Sequence, residues 1–448
     1  MSHGPQRAFL DHWFDLSGHD TTVRTEVVAG ATTFLALAYI VFVQPAVLAA
    51  AGMDFGAVMT ATCLASAFAT LLMALWANYP IAVAPAMGHN FFFAYSVVVG
   101  MGVSWQAALG AVAIAGLIFI LTAGVGLRER LITALPPYLQ RAIAAGIGLL
   151  IAMVGLRWSG LIVGAPGTLV ALGDLASPPT LLSIAGLSLT AVLFALRARG
   201  AILLGIMGTT VVGLATGLVQ YQGLVSRPPS LAPTFMQLDV VGALSPGLWP
   251  VIVIFFFLAL FDSVGTLVGV AGQAGLMRNG TLPRARQALL ADAVGTVAGA
   301  ALGTSTVTPY VESATGVAAG GRTGLSSVVT AALLLASLFL APLVRMIGGG
   351  YVASDQVTLY PVVAPALILV GTLMMREVRA IEWDDPTEAI PAFLTMVMMP
   401  LAMSITEGIA FGFIACVLLK SATGRAREVH WLVHVFAWLF VLRYAFLR

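Results

Sequence analysis

Charge is what this sequence has least of. Only 9% of its 448 residues are Asp, Glu, Lys or Arg against 60% hydrophobic, and mean hydropathy is +1.00, which excludes an ordinary water-soluble domain. Cysteine is nearly absent too. Cys63 and Cys416 both lie in apolar runs, so they read as small packing residues and not as a disulfide framework or a metal centre. There is no basic cluster and the net charge is only +2, so nucleic acid is not an expected partner. The opening stretch "MSHGPQRAFLDHWFDLSGHDTTVRTE" lacks a basic n-region, a short apolar core and a small-residue cleavage site, and the first hydrophobic stretch is therefore expected to be kept as a span.

What the chain has is apolar length. With a window of about 20 residues, hydrophobic segments fall near 26–50, 56–77, 88–101, 105–125, 141–157, 180–196, 201–220, 247–271, 287–302, 309–319, 324–344, 361–375, 387–402 and 405–420. That pattern predicts an all-α polytopic membrane protein of fourteen segments. Those at 88–101 and 309–319 are too short to cross about 30 Å of hydrocarbon, and each follows a Pro-containing stretch, "PIAVAPAMG" or "TSTVTPYVE". Non-helical backbone is tolerated at membrane depth only beside protein or a cavity. Both stretches therefore point to an interior site.

Positive charge supports the count. Starting in the cytoplasm, 18 of the 21 Lys and Arg residues fall on that side, including Arg7, Arg128, Arg130, Arg278 and Arg448, and only Arg157, Arg227 and Arg345 fall outside. Both ends are then cytoplasmic. The tail "WLVHVFAWLFVLRYAFLR" is expected to lie in the interface, with Trp431, Trp438 and Tyr444 at the headgroups.

The chain also repeats itself. "FLAL" at 34–37 recurs at 257–260, and "VAP" at 83–85 meets "VTP" at 307–309, at offsets of 223 and 224. Seven spans separate the copies, an odd number, so the halves run in opposite orientations. This predicts an inverted repeat, 26–245 and 246–422, between an N-terminal segment 1–25 and a tail 423–448, with a site near mid-membrane where the short segments meet.

Acidic residues narrow that site. Most lie in loops or tails, including the "EWDDP" cluster at 382–386, and Asp292 and Glu407 near span ends are given structural roles. Asp262 is different. It sits deep in "FFFLALFDSVGTLVG", where a charge costs roughly 2.5–3.5 kcal/mol on insertion scales, so it is a functional candidate unless it only makes a helix-helix hydrogen bond. Glu312 follows the second Pro-containing stretch, and the plain alternative is an N-cap. In the first short segment Gly88 permits close backbone approach, Asn90 can donate and accept, and Phe91 offers a flat face, a set that suits a planar heteroaromatic ligand; a cap for Asn90 and core packing for Phe91 are the plain alternatives. His89 has no histidine neighbour in sequence, and no metal is expected there.

These residues carry a resemblance. "EVVAGATTFLALAYIVFVQPAVL" (26–48), "APAMGHNFFFAY" (84–95), "AIAAGIGLLIAMVGL" (142–156), "FFFLALFDSVGTLVGVA" (255–271) and the block "GTSTVTPYVESATGVAAGGRTGL" resemble the purine permeases of the nucleobase/cation symporter family, part of the nucleobase-ascorbate transporter superfamily, in its hypoxanthine, guanine and adenine branch. The resemblance implies two seven-span inverted repeats, with spans 1–4 and 8–11 as a mobile core and spans 5–7 and 12–14 as a gate that often dimerises. It implies substrate contacts at Asp262, Glu312, Asn90 and Phe91, with Ser313 and Thr266 lining the site. It further implies a transporter in the cell membrane, not an enzyme, with no cofactor. Gln44 where Asn is usual, His89 where the branch is apolar, and the longer loop 348–361 depart from the pattern.

The chemistry can be argued without the family. A purine base has no net charge, so recognition rests on stacking and directed hydrogen bonds, with carboxylates accepting from its N–H groups. A carboxylate in an apolar surround can also load a proton with the base. Both acids are therefore candidates for coupling to a proton or Na⁺, Glu312 as the better base holder and Asp262 as the better proton carrier. Two other readings have less support. An aspartyl protease dyad lacks the Gly-x-Gly-Asp context, and a sulfate or bicarbonate carrier of the same architecture would not place two acids at its site.

Overall fold

The computed structural model describes residues 10–11, 13–124, 135–277, 282–354 and 357–446; Arg7, Arg128, Arg130, Arg278 and Arg448, used above to orient the chain, lie outside them. It is mostly helical. Among the described residues eight helices are long and apolar enough to cross a bilayer, namely Val23–Ala49, Phe55–Ala77, Trp105–Ala123, Pro137–Trp158, Pro178–Ala195, Pro246–Gln273, Gly324–Gly348 and Ile405–Ala422. The other expected segments are shorter, extended or less apolar.

The first half contains α1 (Val23–Leu37), α2 (Ile40–Ala49), α3 (Phe55–Leu72), strand β1 (Val83–Pro85), α4 (Met87–Phe91), α5 (Trp105–Gly124), α6 (Pro137–Trp158), α7 (Pro178–Ala195) and α8 (Ala201–Ala215). The second half contains α9 (Trp249–Gln273), α10 (Ala285–Leu302), β2 (Val307–Pro309), α11 (Ser313–Ala318), α12 (Gly324–Ala336), α13 (Ala364–Met374), α14 (Pro386–Leu401), α15 (Ile405–Ala422) and α16 (Trp431–Phe446). Polar residues at the apolar runs' edges set the starts. Thr22, Asp54, Thr323, Asp385 and Ser404 each accept a backbone N–H in the first turn of the helix that follows, which satisfies a donor the helix itself cannot.

The two Pro-containing stretches find each other. Pro85 and Pro309 bar helix there, and β1 pairs antiparallel with β2 in the register Val83↔Pro309, Ala84↔Thr308, Pro85↔Val307. Ala86 N–H to Thr306 O at 3.0 Å and Tyr310 N–H to Ala82 O at 2.9 Å extend the ladder. Helix hydroxyls flank it on both sides: Thr70 Oγ1 bonds both the N–H and the carbonyl of Val83, and Thr296 Oγ1 donates to Val307 O at 3.0 Å. Backbone that would otherwise be orphaned in an apolar interior is thereby satisfied.

Packing falls into two sets. Helices α1–α3, α5 and α9–α12 pack among themselves around the strand pair, whereas α6 packs on α13 and α14, α7 on α8, and α14 on α15. Glycines set the distance where the sets touch. A Cβ on Gly88 would lie 2.7 Å from the Ile147 side chain of α6, so only glycine lets α4 lie that close.

The tail helix α16 packs one face on the rest of the molecule, with Val433, Ala437 and Phe440 buried. In the "EWDDP" segment Glu382, Trp383 and Asp384 are exposed, while Asp385 caps α14 and binds Arg425 Nη1 at 2.7 Å.

Candidate functional site

The strand pair brings together acids that lie far apart in sequence. Thr308, on β2, donates its hydroxyl to Asp262 Oδ2 on α9 at 2.8 Å. Tyr39, at the break between α1 and α2, donates to Glu312 Oε1 at 2.8 Å. Both carboxylates line one cavity of about 800 Å³, together with Tyr39, Gly88, His89, Thr266, Thr308 and Tyr310. Asp262 is exposed to it and Glu312 half-buried, although each is embedded among apolar helices.

The plain alternatives for these acids can now be tested. Glu312 precedes α11 but its side chain makes no capping bond; it points instead to Tyr39. Asp262 does make an interior hydrogen bond, to Thr308, but with one oxygen only and from an open cavity wall. Among the described residues no other side chain hydrogen-bonds to either carboxylate, so each keeps acceptor capacity for something in the cavity.

Four expected site residues meet at the cavity: Asp262, Glu312, Gly88 and Thr266. The other three sit behind it. Asn90 is fully buried, accepts from Ser305 Oγ and reaches Pro85 O at 3.5 Å, which ties α4 to the stretch before β2. Phe91 is fully buried and stacks on Tyr95 with centroids 5.6 Å apart and planes 11° from parallel, so its face is already covered. Ser313 Oγ accepts from Ala82 N–H at 3.0 Å, bonding across to the stretch before β1. The reason is geometric: Asn90 and Ser313 turn to the stretches beside the strand crossing and Phe91 turns onto Tyr95, none of them to the opening.

Residues not singled out by the sequence complete the site. Tyr39 and Thr308 supply the carboxylates' donors, and Tyr310 donates to Pro85 O while lining the cavity. Aromatic rings Phe257 and Phe261 of α9 stack at 5.8 Å and 13° on the cavity wall beside Asp262. Behind Asp262 lies Asp292, fully buried on α10; it accepts from Ser263, the residue after Asp262, and its Oδ1 has no partner among the described residues. Its signal was available, an acid within an apolar helix. The unusual Gln44 is also behind the cavity, donating to Thr304 Oγ1 at 3.0 Å.

Comparison with known proteins agrees with this architecture. The permease family matches residues 24–411. The chain is 45% identical to adenine permease AdeP of Escherichia coli over 98% of this chain and 97% of that one, and 47% identical to guanine/hypoxanthine permease PbuG of Bacillus subtilis over 97% and 99%. Among solved structures it is similar to the transmembrane domain of the cyanobacterial bicarbonate transporter BicA, with a TM-score of 0.61, 18% identity, and 86% and 97% of the two chains covered. It is also similar to murine Slc26a9, an anion transporter in the inward-facing state, with a TM-score of 0.64, 12% identity, and 94% and 73% covered. At those identities the likeness is one of fold. The match over most of the chain, the curated relatives and the apolar helices together make this chain a multi-pass membrane protein that belongs to the nucleobase-ascorbate transporter family of permeases.

Proposed function

We propose that this chain carries purine nucleobases across the cell membrane by cation symport, with a proton as the coupling ion. The observation that carries the reading is the pair of cavity-facing acids, Asp262 and Glu312, each held by a single hydroxyl and joined through the β1/β2 crossing. Glu312 accepts from N–H groups of the base, and Asp262, on the long apolar helix α9, takes the coupling proton. Gly88, Thr266 and the Phe257, Phe261 and Tyr310 rings form the surrounding walls. Asn90, Phe91 and Ser313 act on the base through the short helices they hold in place.

The same reading includes the architecture. Two seven-span repeats in opposite orientation are supported by the antiparallel pairing of "VAP" with "VTP". Their two packing sets serve as a core, which carries both acids and moves in an elevator-like stroke, and as a gate, which forms a homodimer. The N-terminal segment is cytoplasmic in this scheme.

Anion carriage is the competing reading, because the fold neighbours include a bicarbonate transporter and an anion transporter. The two carboxylates oppose it: at short range in a low-dielectric site, like charges repel strongly. Competition uptake separates the two. Adenine, hypoxanthine or guanine should displace a radiolabelled purine while sulfate, bicarbonate and pyrimidines do not. Inhibition by sulfate without inhibition by any purine overturns the proposal.

A further inference from the structure

Helix α16 packs along α15. Just before it, Glu428 binds Lys420 Nζ at 3.0 Å, near the end of α15; near its own end, Arg443 Nη2 pairs with Glu407 Oε1 at 2.9 Å in the first turn of α15, and Tyr444 also donates to Glu407. The two helices are therefore antiparallel along their shared length. At 1.5 Å per residue, 407–420 and 431–443 each rise about 18–20 Å. The far end of α15 is itself placed by Ser96, which donates to Met403 O and accepts from Ile405 N–H, beyond the α4 segment and away from the strand crossing.

The faces of α16 agree with immersion in lipid. One face, Val433, Ala437 and Phe440, is buried in protein. The other, with Trp431, Val435, Trp438, Leu439 and Leu442, is exposed and apolar up to Tyr444, whose hydroxyl is bonded to Glu407. A surface helix would set charge on that side; within α16 the only Arg is Arg443, which is paired.

The buried face also reaches the cavity. Leu432, Val433, Phe436 and Phe440 line it together with Asp262, Phe257 and Phe261 of α9. Phe436 meets Phe257 edge-on at 5.6 Å and 90°, and on its other side meets Phe413 of α15 at 6.3 Å and 57°. It thus bridges the helix that bears the acid and the last helix of the gate set. A cavity holding carboxylates must be kept from lipid, and α16 closes the seam between α9 and α15.

From these contacts we infer that α16, like the α15 span it lies along, is a further pass through the membrane that forms the lipid-side wall of the substrate cavity, so that Tyr444 and Ala445 lie at the opposite face from the 423–430 turn. The inference rests on the transport reading for the cavity's contents but not for the helix's direction. Phe436 then belongs to the substrate path, and its contact with Phe257 must slide when the core moves past the gate.

Two measurements test this on the full chain, with buried Cys63 and Cys416 as the unreactive background. Ala426→Cys and Ala445→Cys are labelled with a membrane-impermeant thiol reagent in oriented vesicles. Position 426 should react from the cytoplasmic side only and 445 from the opposite side only; reaction of both from the cytoplasm overturns the pass. In the second, Phe436→Cys is labelled with and without hypoxanthine, at about ten times the Kd measured on the same protein, where occupancy should slow labelling about tenfold. Leu432→Cys serves if Phe436→Cys impairs binding. An unprotected cysteine in protein that binds purine overturns the wall. Absence of purine binding by the unsubstituted protein instead refutes the transport reading and leaves the labelling result for α16 standing.

Discussion

Two places in this molecule set acidic side chains among apolar helices, and they treat them in opposite ways. Glu26, fully buried, faces the start of α12 and accepts from the N–H groups of Arg322, Thr323 and Ser326 and from the Thr21 hydroxyl. Every part of that carboxylate is engaged, and it pins α1 to α12. Asp262 and Glu312 receive one hydroxyl each and face an open cavity. The difference separates an acid whose charge is consumed by the fold from acids whose charge is held available. Asp292 stands between them, buried but with one oxygen unpartnered among the described residues.

The strongest way to break the contrast is Asp262→Asn. An amide cannot carry the coupling proton, so accumulation of purine driven by a pH gradient should be abolished, while binding and counterflow exchange persist in purified protein in liposomes. If the variant still concentrates purine under an imposed gradient and Glu312→Gln does not, the two acids have exchanged roles.

A paired substitution sharpens it. Glu312→Gln replaces one acceptor oxygen with a donor facing a ligand that also donates, and should weaken purine binding about 10- to 100-fold, or roughly 1.4–2.8 kcal/mol. Glu26→Gln should leave Kd nearly unchanged and lower stability by about 1–3 kcal/mol, since it strands N–H donors at the start of α12. Thermal unfolding and equilibrium binding on the same two preparations decide it. Should Glu26→Gln shift Kd as far as Glu312→Gln does, donor count does not distinguish the two kinds of acid.

The smallest effect concerns carboxylates outside the membrane. Hydrogen bonds from Arg425, then from Thr387, hold Asp385 well below the usual carboxylate range, and Arg425 followed by Lys420 draws Glu428 down to about 2. Unfolded values near 3.9 and 4.3 mean that the folded groups bind protons less readily. Their contribution to stability is therefore complete above about pH 5 and is lost as pH falls toward 2. The difference in Tm between the unsubstituted protein and Arg425→Ala should be small, constant from about pH 5 to 8, reduced by salt, and narrower below about pH 4. A difference that changes between pH 6 and 8 contradicts this assignment.

Some of this was legible in the residues alone. Asp262 and Glu312 stand out because a carboxylate inside an apolar run has few innocent explanations, and the "VAP" and "VTP" stretches that pair in the fold are matching copies in the sequence. What could not be read was direction. Asn90 and Phe91 lie in the right segment, but the turn that aims them at Ser305 and Tyr95 depends on how α4 sits against the crossing. Nothing in the sequence distinguishes Glu26, because its donors come from residues about 300 positions away. Tyr39 was hidden for the same reason: a tyrosine among apolar residues announces nothing until its hydroxyl meets Glu312. In α16 the spacing of Trp431, Trp438 and Tyr444 suggested headgroups, whereas Phe436, an unremarked residue between them, makes the ring contacts with α9 and α15.

The crossing of β1 and β2 also constrains how the protein can be made. Its ladder joins backbone such as Ala82 and Tyr310, about 230 residues apart, and at a synthesis rate of about 5–20 residues per second the later strand follows the earlier by roughly 10–45 s. Until then, among the described residues of the first half, helix side chains bond β1 only at its two ends, Thr70 to Val83 and Asn90 to Pro85 O. The nascent first half must therefore wait in the membrane with an open backbone edge, and the ligand site comes into being only when the second half arrives to close it.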